Sequence, residues 1–189
     1  MEIIEAIQTR CSVNKLLTNQ PKRSDIRAML DAAVRAPIHR MTEPWRFVVI
    51  AGESRDELGD VLTQILQSTD PDATKDELAR ERAKPLRAPV LIGVSCLKGR
   101  NEVETHENIA GTAAGIQNML LAAHSLGLGA QWRTGDNSYT PLLVTWLGAP
   151  EDAQFMGFIY VGYRAPLVPD RQTPRRPSTD LTDWRGWQD

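Results

Sequence analysis

The sequence predicts one domain of the α+β class. Several stretches carry apolar residues at the three- and four-residue spacing of a helix, and three apolar runs are typical of strands. The chain has 189 residues, which is a usual size for a single domain and enough to bury a substantial core. We therefore expect a single domain over residues 1–189, in which 165–189 form an extended C-terminal tail.

The first part of the chain predicts two helices and a strand. Glu2–Thr9 has the pattern of a short helix, and Ser24 is a candidate N-cap for a second one, because its hydroxyl can accept a bond from a free backbone N–H. Pro37 ends this second helix, since proline disfavours helical geometry in the residue before it. Phe47–Ile50 is then predicted to be a buried strand. The apolar face of the second helix consists of Ile26, Met29, Leu30, Ala33 and Val34.

The middle of the chain predicts a third helix, a charged segment and a second strand. Ser54–Glu57 has the Ser-x-x-Glu pattern of a capping box and opens an amphipathic helix. Residues 72–84 are highly charged and have few large apolar positions, which leaves two alternatives, a solvent-exposed helix or a mobile lid. Pro89–Cys96 is predicted to be a second apolar strand.

The strongest helical pattern covers Glu104–Leu126 and is closed by Gly127. Gly111 and Gly115 lie inside it, although each glycine costs about 1 kcal/mol of helix propensity relative to alanine. Small residues at these positions would let another backbone approach, as in a central helix or a dimer interface. Two merely tolerated glycines are an equally good explanation.

The last part of the chain predicts two strands, a helix and a tail. Gly129–Arg133 and Phe155–Tyr163 are the strands, and Thr140-Pro141 supplies a cap and a first-turn proline for the helix between them. The tail is rich in proline and carries Trp184 and Trp187. We expect it to be extended and to wrap around a partner subunit.

Composition and charge argue against several classes of protein. The formal net charge is −2 and charged residues make up 24% of the chain, so nothing favours nucleic acid or an anionic membrane as a partner. The longest apolar run, Ala88–Leu97, is far below the roughly 20 residues that span a bilayer. The acidic N-terminus is unlike a signal peptide, and Cys11 and Cys96 do not make a disulfide framework. A cytoplasmic protein is expected.

Three arginine-centred segments are candidate binding sites for a phosphate or a flavin ring: Arg10–Ser12, Arg35–His39 and Trp132–Gly135. Arginine presents a planar fork of donors that matches phosphate oxygens. Taken singly, each segment has an ordinary explanation: a solvated charge at a helix end, an exposed loop histidine, or a core tryptophan beside a surface arginine. Their order and positions along one chain favour a shared function.

With several other blocks, these segments resemble the nitroreductase family, and within it the compact NAD(P)H nitroreductases. The resemblance covers nearly the whole chain. Each block matches the family only loosely, and the resemblance rests on the order and spacing of all the blocks together. The blocks are Arg10–Ser12, Arg35–His39, Glu43–Ile50, Lys84–Pro89, Gly127–Gly135 and Gly157–Gly162.

The resemblance implies an α+β fold of the nitroreductase type, with a central, mainly antiparallel sheet flanked by helices. It also implies an intertwined homodimer with swapped C-terminal tails and FMN at the subunit interface. NAD(P)H would be the reductant, and a small-molecule electron acceptor would be the second substrate. Neither nucleic acid nor a membrane is expected as a partner.

Nine positions match the cofactor contacts of the family. The ribityl phosphate would be lined by Arg10, Cys11 and Ser12, and it would be clamped by the C-terminal Arg176. The flavin of one site would be reached from a dimer subunit by Arg35 and His39. The other side of the cofactor would be contacted by Trp132, Arg133 and Thr134.

Two positions depart from the family pattern. Cys11 stands where relatives usually have Arg or His, and Asn14 stands where many have a basic residue near the flavin. Fixed positive charge favours a developing anion, so fewer cations would stabilise the anionic reduced flavin less. The departures point to weaker flavin affinity or a shifted redox potential.

The cysteines and histidines allow other hypotheses. Cys11 could be a nucleophile if a base lay beside it, and His39 is the one tempting partner. Cys96, inside an apolar strand, is expected to be a core residue. His106 and His124 show no ligand spacing with each other or with acidic residues, so no metal site is predicted.

The sequence therefore predicts an FMN-dependent NAD(P)H oxidoreductase that reduces nitro compounds, quinones or similar electron-poor acceptors. The flavin would carry the redox chemistry, and no side chain is assigned as catalytic because solvent can supply the protons. A non-catalytic flavin-binding protein, serving as a store, sensor or partner, is the alternative. A plain α+β interaction module without flavin is a third hypothesis.

Overall fold

A computed structural model of the protein describes residues 1–135, 139–166 and 173–187. Within these residues the chain forms six α-helices and four strands in one sheet. The helices are α1 (Ile3–Thr9), α2 (Arg23–Ala33), α3 (Ser54–Thr69), α4 (Lys75–Arg82), α5 (Glu102–Ser125) and α6 (Pro141–Trp146). The strands are β1 (Trp45–Ala51), β2 (Val90–Cys96), β3 (Leu128–Arg133) and β4 (Gln154–Tyr163).

The sheet has the strand order β1-β2-β4-β3, and every neighbouring pair is antiparallel. This confirms the predicted antiparallel sheet with flanking helices. Ile92 lies at its centre, paired with Val49 on β1 and Ile159 on β4. The pairing of β2 with β4 shifts between Val94 and Ser95, so Met156 is an extra residue on β4, as in a β-bulge.

Adjacent strand residues point to opposite faces of the sheet, and each face is covered by helices. The helices α2 and α5 cover one face, and α3 and α6 cover the other. The first core includes Met29, Ile92, Ile116, Met119 and Ile159. The second includes Leu58, Ile65, Leu91, Leu143 and Phe155.

The helix α5 is the central helix, and its glycines allow a close approach by the end of α2 and the chain that follows it. A Cβ atom at Gly115 would lie 3.0 Å from the carbonyl oxygen of Ala33. A Cβ atom at Gly111 would collide with the Ile38 side chain and lie 3.2 Å from the Pro37 carbonyl oxygen. Of the two explanations for these glycines, the packing one therefore holds.

Both predicted caps in the first half of the chain are wrong. The helix α2 begins at Arg23, and the hydroxyl of Ser24 lies 3.4 Å from the Asp25 carboxylate instead of capping the helix. Ser54 is already inside α3, because the residue before it, Glu53, has helical backbone angles and makes no side-chain cap bond. A cap requires an extended residue at the helix boundary, which a sequence pattern alone does not show.

The charged segment 72–84 contains a regular helix, which is the first of its two predicted alternatives. Thr74 and Glu77 form a true capping box at the start of α4, with each side chain bonded to the other's backbone N–H. Arg82 donates to the Asp60 carboxylate on α3 at 2.6 Å. This bond connects α4 to α3.

The strand predicted at Phe47–Ile50 is present, but the prediction that it is buried is wrong. It forms part of β1, which is an edge strand, and Val49 is 45% exposed. An apolar run indicates a strand without showing whether the strand is central or at an edge.

Gly157 is the glycine of the sheet whose replacement should cost the most stability. Its φ is +123°, and a Cβ atom there would collide with the Trp132 indole and lie 2.8 Å from the Arg133 carbonyl oxygen. We expect Gly157→Ala to lower the free energy of unfolding by about 2–4 kcal/mol. The matched control is Gly148→Ala, where φ is +68° but the space is open and about 1 kcal/mol is expected. Equal losses in urea denaturation would contradict the packing argument.

Candidate functional site

The segment Arg10–Ser12 runs from the end of α1 to the edge of β3. Arg10 is the C-cap of α1 and is half-buried, and its N–H donates to the Ala6 carbonyl at 3.0 Å. The N–H of Val13 donates to the Ala130 carbonyl at 3.1 Å. This bond places Val13, the residue after the segment, beside the middle of β3, roughly 7–10 Å along the strand from Trp132 and Arg133. The segment and the end of β3 are therefore connected along the same edge of the sheet.

A polar cluster lies where α1 meets the last turn of α5. We call it the Arg10 cluster, and its members are Thr9, Arg10, Cys11, His124 and Arg164. The Thr9 hydroxyl lies 2.9 Å from Nε2 of His124, and Nη2 of Arg164 donates to Sγ of Cys11 at 3.6 Å. Burial lowers the pKa of His124, and the positive charges of Arg164 and Arg10 lower it further. The positive charges of Arg164 and Arg10 therefore both act on the His124 ring.

The end of β3 presents two side chains to opposite faces of the sheet. The indole N–H of Trp132 donates to the Met156 carbonyl, in the bulge of β4, at 2.7 Å, and the ring is 38% exposed. Nε of Arg133 donates to Oε1 of Gln131 at 3.0 Å, and the Arg133 guanidinium lies 5.4 Å from the centre of the Tyr160 ring. The two side chains cannot both face one planar ligand from the same side. Thr134, the next residue, is exposed.

The segment Arg35–His39 lies beside the first half of α5. Arg35 is exposed just after α2, and its N–H donates to the Ala32 carbonyl at 3.2 Å. His39 opens a short 3₁₀ turn and is also exposed, and its Nε2 accepts a bond from Nε of Arg40 at 3.2 Å.

The loop after His39 holds an unusual backbone. Arg40, Met41 and Glu43 have φ values of 53°, 52° and 43°, in the left-handed region that side chains rarely adopt. Arg46 supports the loop, since its Nη1 donates to the carbonyls of Glu43 and Trp45. Such strain is concentrated at functional sites. The loop borders a cleft of about 420 Å³ whose lining includes His39, Arg40, Asn101, Glu102 and Glu107.

The two halves of the candidate site are far apart within one chain. The Arg10 cluster contacts α5 at His124, whereas the chain before His39 contacts α5 at Gly111. A helix rises 1.5 Å per residue, so these thirteen positions correspond to about 20 Å. Arg10 and His39 therefore lie at different ends of the central helix.

This separation removes the hypothesis of a Cys11 nucleophile with His39 as its base, because the two side chains lie along different halves of α5. Cys96 is 1% exposed in β2, and burial raises the pKa of its thiol, as expected of a core residue. Arg176 is exposed in the tail, and no hydrogen bond or ion pair among the described residues connects it with the other candidates.

Arg164 is a member of the Arg10 cluster that sequence reasoning missed. It follows β4 directly, and its backbone pairs with Leu16. In the sequence, Arg164 is marked only by its place at the end of an apolar strand. An arginine at such a place is equally explained by contact with solvent.

The described part of the chain holds neither a metal-binding cluster nor a membrane-spanning helix. Residues 1–135, 139–166 and 173–187 contain no group of three or more side chains that could hold a metal ion. None of the helices formed by these residues is long and apolar enough to cross a membrane.

Comparison with known proteins identifies the family. Residues 7–163 match the model of the nitroreductase family. This chain belongs to the nitroreductase family. It is 31% identical over 165 residues to "Putative NAD(P)H nitroreductase YdjA" of Escherichia coli (strain K12), a match that covers 86% of this chain and 88% of that protein. YfhC of Bacillus subtilis (strain 168), which has the same designation, is 29% identical over 180 residues, or 94% of this chain and 93% of its own.

Solved structures of other nitroreductases have the same fold. A nitroreductase-like family protein from Bacillus cereus superimposes with a TM-score of 0.85 at 26% identity, covering 99% of this chain and 97% of that one. A nitroreductase with bound FMN from Bacteroides fragilis gives a TM-score of 0.74 at 25% identity, covering 95% and 97%. The predictions of a nitroreductase-like α+β fold and of an oxidoreductase are confirmed.

Proposed function

We propose that this nitroreductase is an FMN-dependent NAD(P)H oxidoreductase that reduces nitro compounds, quinones or similar electron-poor acceptors. The FMN-bound structure from Bacteroides fragilis and the NAD(P)H designations of YdjA and YfhC support the two cofactors. The observation that carries the proposal is the hydrogen bond from the N–H of Val13, which follows Arg10–Ser12, to the Ala130 carbonyl of β3, because it supports a site shared with Trp132–Thr134.

The residues present fit the phosphate of FMN. The half-buried guanidinium of Arg10 and the exposed hydroxyl of Ser12 lie next to each other in the chain, and both can donate to phosphate oxygens. Arg176 would add a charge from the tail. The exposed Trp132 indole, fixed by its bond to the Met156 carbonyl, would offer a rigid apolar surface to the cofactor.

We propose that each site is completed by a second copy of the chain. The separation of about 20 Å along α5 keeps His39 of one protomer away from that protomer's own Arg10 cluster. Arg35 and His39 are both exposed and could face a partner. The tail also supports a dimer with exchanged tails, because the rings of Trp184 and Trp187 lie 5.6 Å apart at an angle of 59° yet remain 70% and 71% exposed.

When bound, FMN would accept a hydride from NAD(P)H and deliver it to the acceptor. The protein would hold the phosphate through Arg10 and Ser12 and orient the ring through Arg35, His39 and the end of β3. No side chain is required to donate a proton, since solvent reaches the exposed His39 and its cleft. Fixed cations near the ring would stabilise negative charge on it.

We also propose a cytoplasmic location. Cys11 and Cys96 are not joined by a disulfide, which suits a reducing compartment, and NAD(P)H is available there.

The proposal is tested by a stepwise anaerobic titration. Protein reconstituted with FMN is first reduced with one equivalent of NADH or NADPH, and a nitroaromatic compound or a quinone is then added. We expect the flavin absorbance to be lost in the first step and to return in the second. Return with only one of the two compounds would identify the acceptor class, and no return with either would contradict the proposed substrates.

A further inference from the structure

Two guanidiniums reach the end of α1 from opposite ends of the chain. Arg10 lies at the end of α1, and Arg164 follows β4. The position of Arg164 is fixed by its neighbours, because the Leu17 N–H donates to the Tyr163 carbonyl at 2.8 Å and the Ala165 N–H donates to the Lys15 carbonyl at 3.1 Å. Its Nη2 contacts Sγ of Cys11, the residue next to Arg10.

Both guanidiniums contribute positive charge around His124. Both arginines are half-buried, so their charges are screened less than those of fully exposed residues. Burial is the largest cause that lowers the pKa of His124, the charges of Arg164 and then Arg10 lower it further, and Glu5 on α1 raises it by less. A group with several negative oxygens could accept from both planar forks at once.

We propose that Arg164 is a second phosphate-binding arginine, which acts with Arg10 on the phosphate of the bound flavin nucleotide. The inference rests on the proposed function for the identity of that nucleotide. Cys11 contributes no cation at its position, and the guanidinium in contact with its sulfur supplies one. Arg164 is thus a binding residue and takes no part in hydride transfer.

The test compares FMN with riboflavin, which lacks the phosphate. We expect Arg164→Gln to weaken FMN binding at least about tenfold, as for loss of a charge-assisted hydrogen bond, and to leave riboflavin affinity unchanged. Flavin fluorescence measures both affinities. Arg80→Gln is the matched control, because Arg80 is exposed on α4 and its Nε donates to the Asp76 carbonyl of its own helix.

Three results would overturn the inference while the proposed function stands. These are unchanged FMN affinity in Arg164→Gln, an equal loss of FMN and riboflavin affinity, and an equal loss of FMN affinity in Arg80→Gln. Thermal unfolding of each variant, followed by circular dichroism, shows that the chains compared are folded.

If the wild-type protein binds neither flavin, the proposed function is contradicted. A second measurement still tests the role of Arg164 in that case. The chain has three histidines, and the NMR signal of His124 can be assigned with a His124→Gln variant. We expect inorganic phosphate to raise the pKa of His124 in the wild type and to raise it less in Arg164→Gln. An equal phosphate effect in both proteins would overturn the proposed role of Arg164.

Discussion

An Arg10→Ala variant is expected to bind FMN at least about 100-fold more weakly than the wild-type protein and to lose it during purification. Two charge-assisted bonds from one guanidinium to the phosphate would each contribute about 1.5–3 kcal/mol, and each 1.4 kcal/mol corresponds to a factor of ten. The effect should be larger than that of Arg164→Gln, because Arg10 adjoins the Ser12 hydroxyl and amide. The FMN released from purified protein by acid provides the measurement.

The fold should tolerate this change. Arg10 caps α1 through its backbone N–H, which alanine retains. Arg10→Lys is the conservative control: it keeps the charge and loses the planar fork, so an intermediate FMN affinity is expected. A fully loaded Arg10→Ala protein would show that the phosphate is bound elsewhere.

Two variants that each lack FMN are expected to regain it when they are combined in one dimer. Arg35→Ala should also deplete FMN, because Arg35 is proposed to act on the cofactor of the other subunit. In a heterodimer of Arg10→Ala with Arg35→Ala, one site carries both substitutions and the other carries neither. We therefore expect close to one FMN per heterodimer, compared with two in the wild type and almost none in either mutant homodimer.

Co-expression with two different affinity tags allows the heterodimer to be isolated in two steps. If Arg10 and Arg35 of the same chain served one cofactor, every site in the heterodimer would carry one substitution. The heterodimer would then contain no FMN, in contradiction to the shared site. A monomer in sedimentation of the wild-type protein would contradict it as well.

The elements of the fold could be predicted from sequence because their signals are local. The long helix α5 was predicted from its periodicity and its closing Gly127, and β2 and β4 were predicted as continuous apolar runs. The packing role of Gly111 could be suggested but not decided, because the neighbour that needs the space, Ile38, is remote in sequence.

The details that depend on three-dimensional context could not be predicted. Ser24 and Ser54 fit the composition of a cap, but the helices begin one turn or less away from the expected boundary. The resemblance pointed to Arg10 and His39 as cofactor residues without showing that α5 separates them. Arg164 joins the Arg10 cluster only because β4 ends beside the segment after α1.

The most direct test of the central claim, an FMN-dependent NAD(P)H oxidoreductase, is the visible absorption spectrum of the purified protein before and after anaerobic addition of NADH or NADPH. We expect a yellow protein whose flavin absorbance disappears with at least one of the two reductants. A yellow protein that keeps its absorbance with both would be a flavin-binding protein without this activity. A colourless protein that does not bind added FMN would contradict the cofactor site itself.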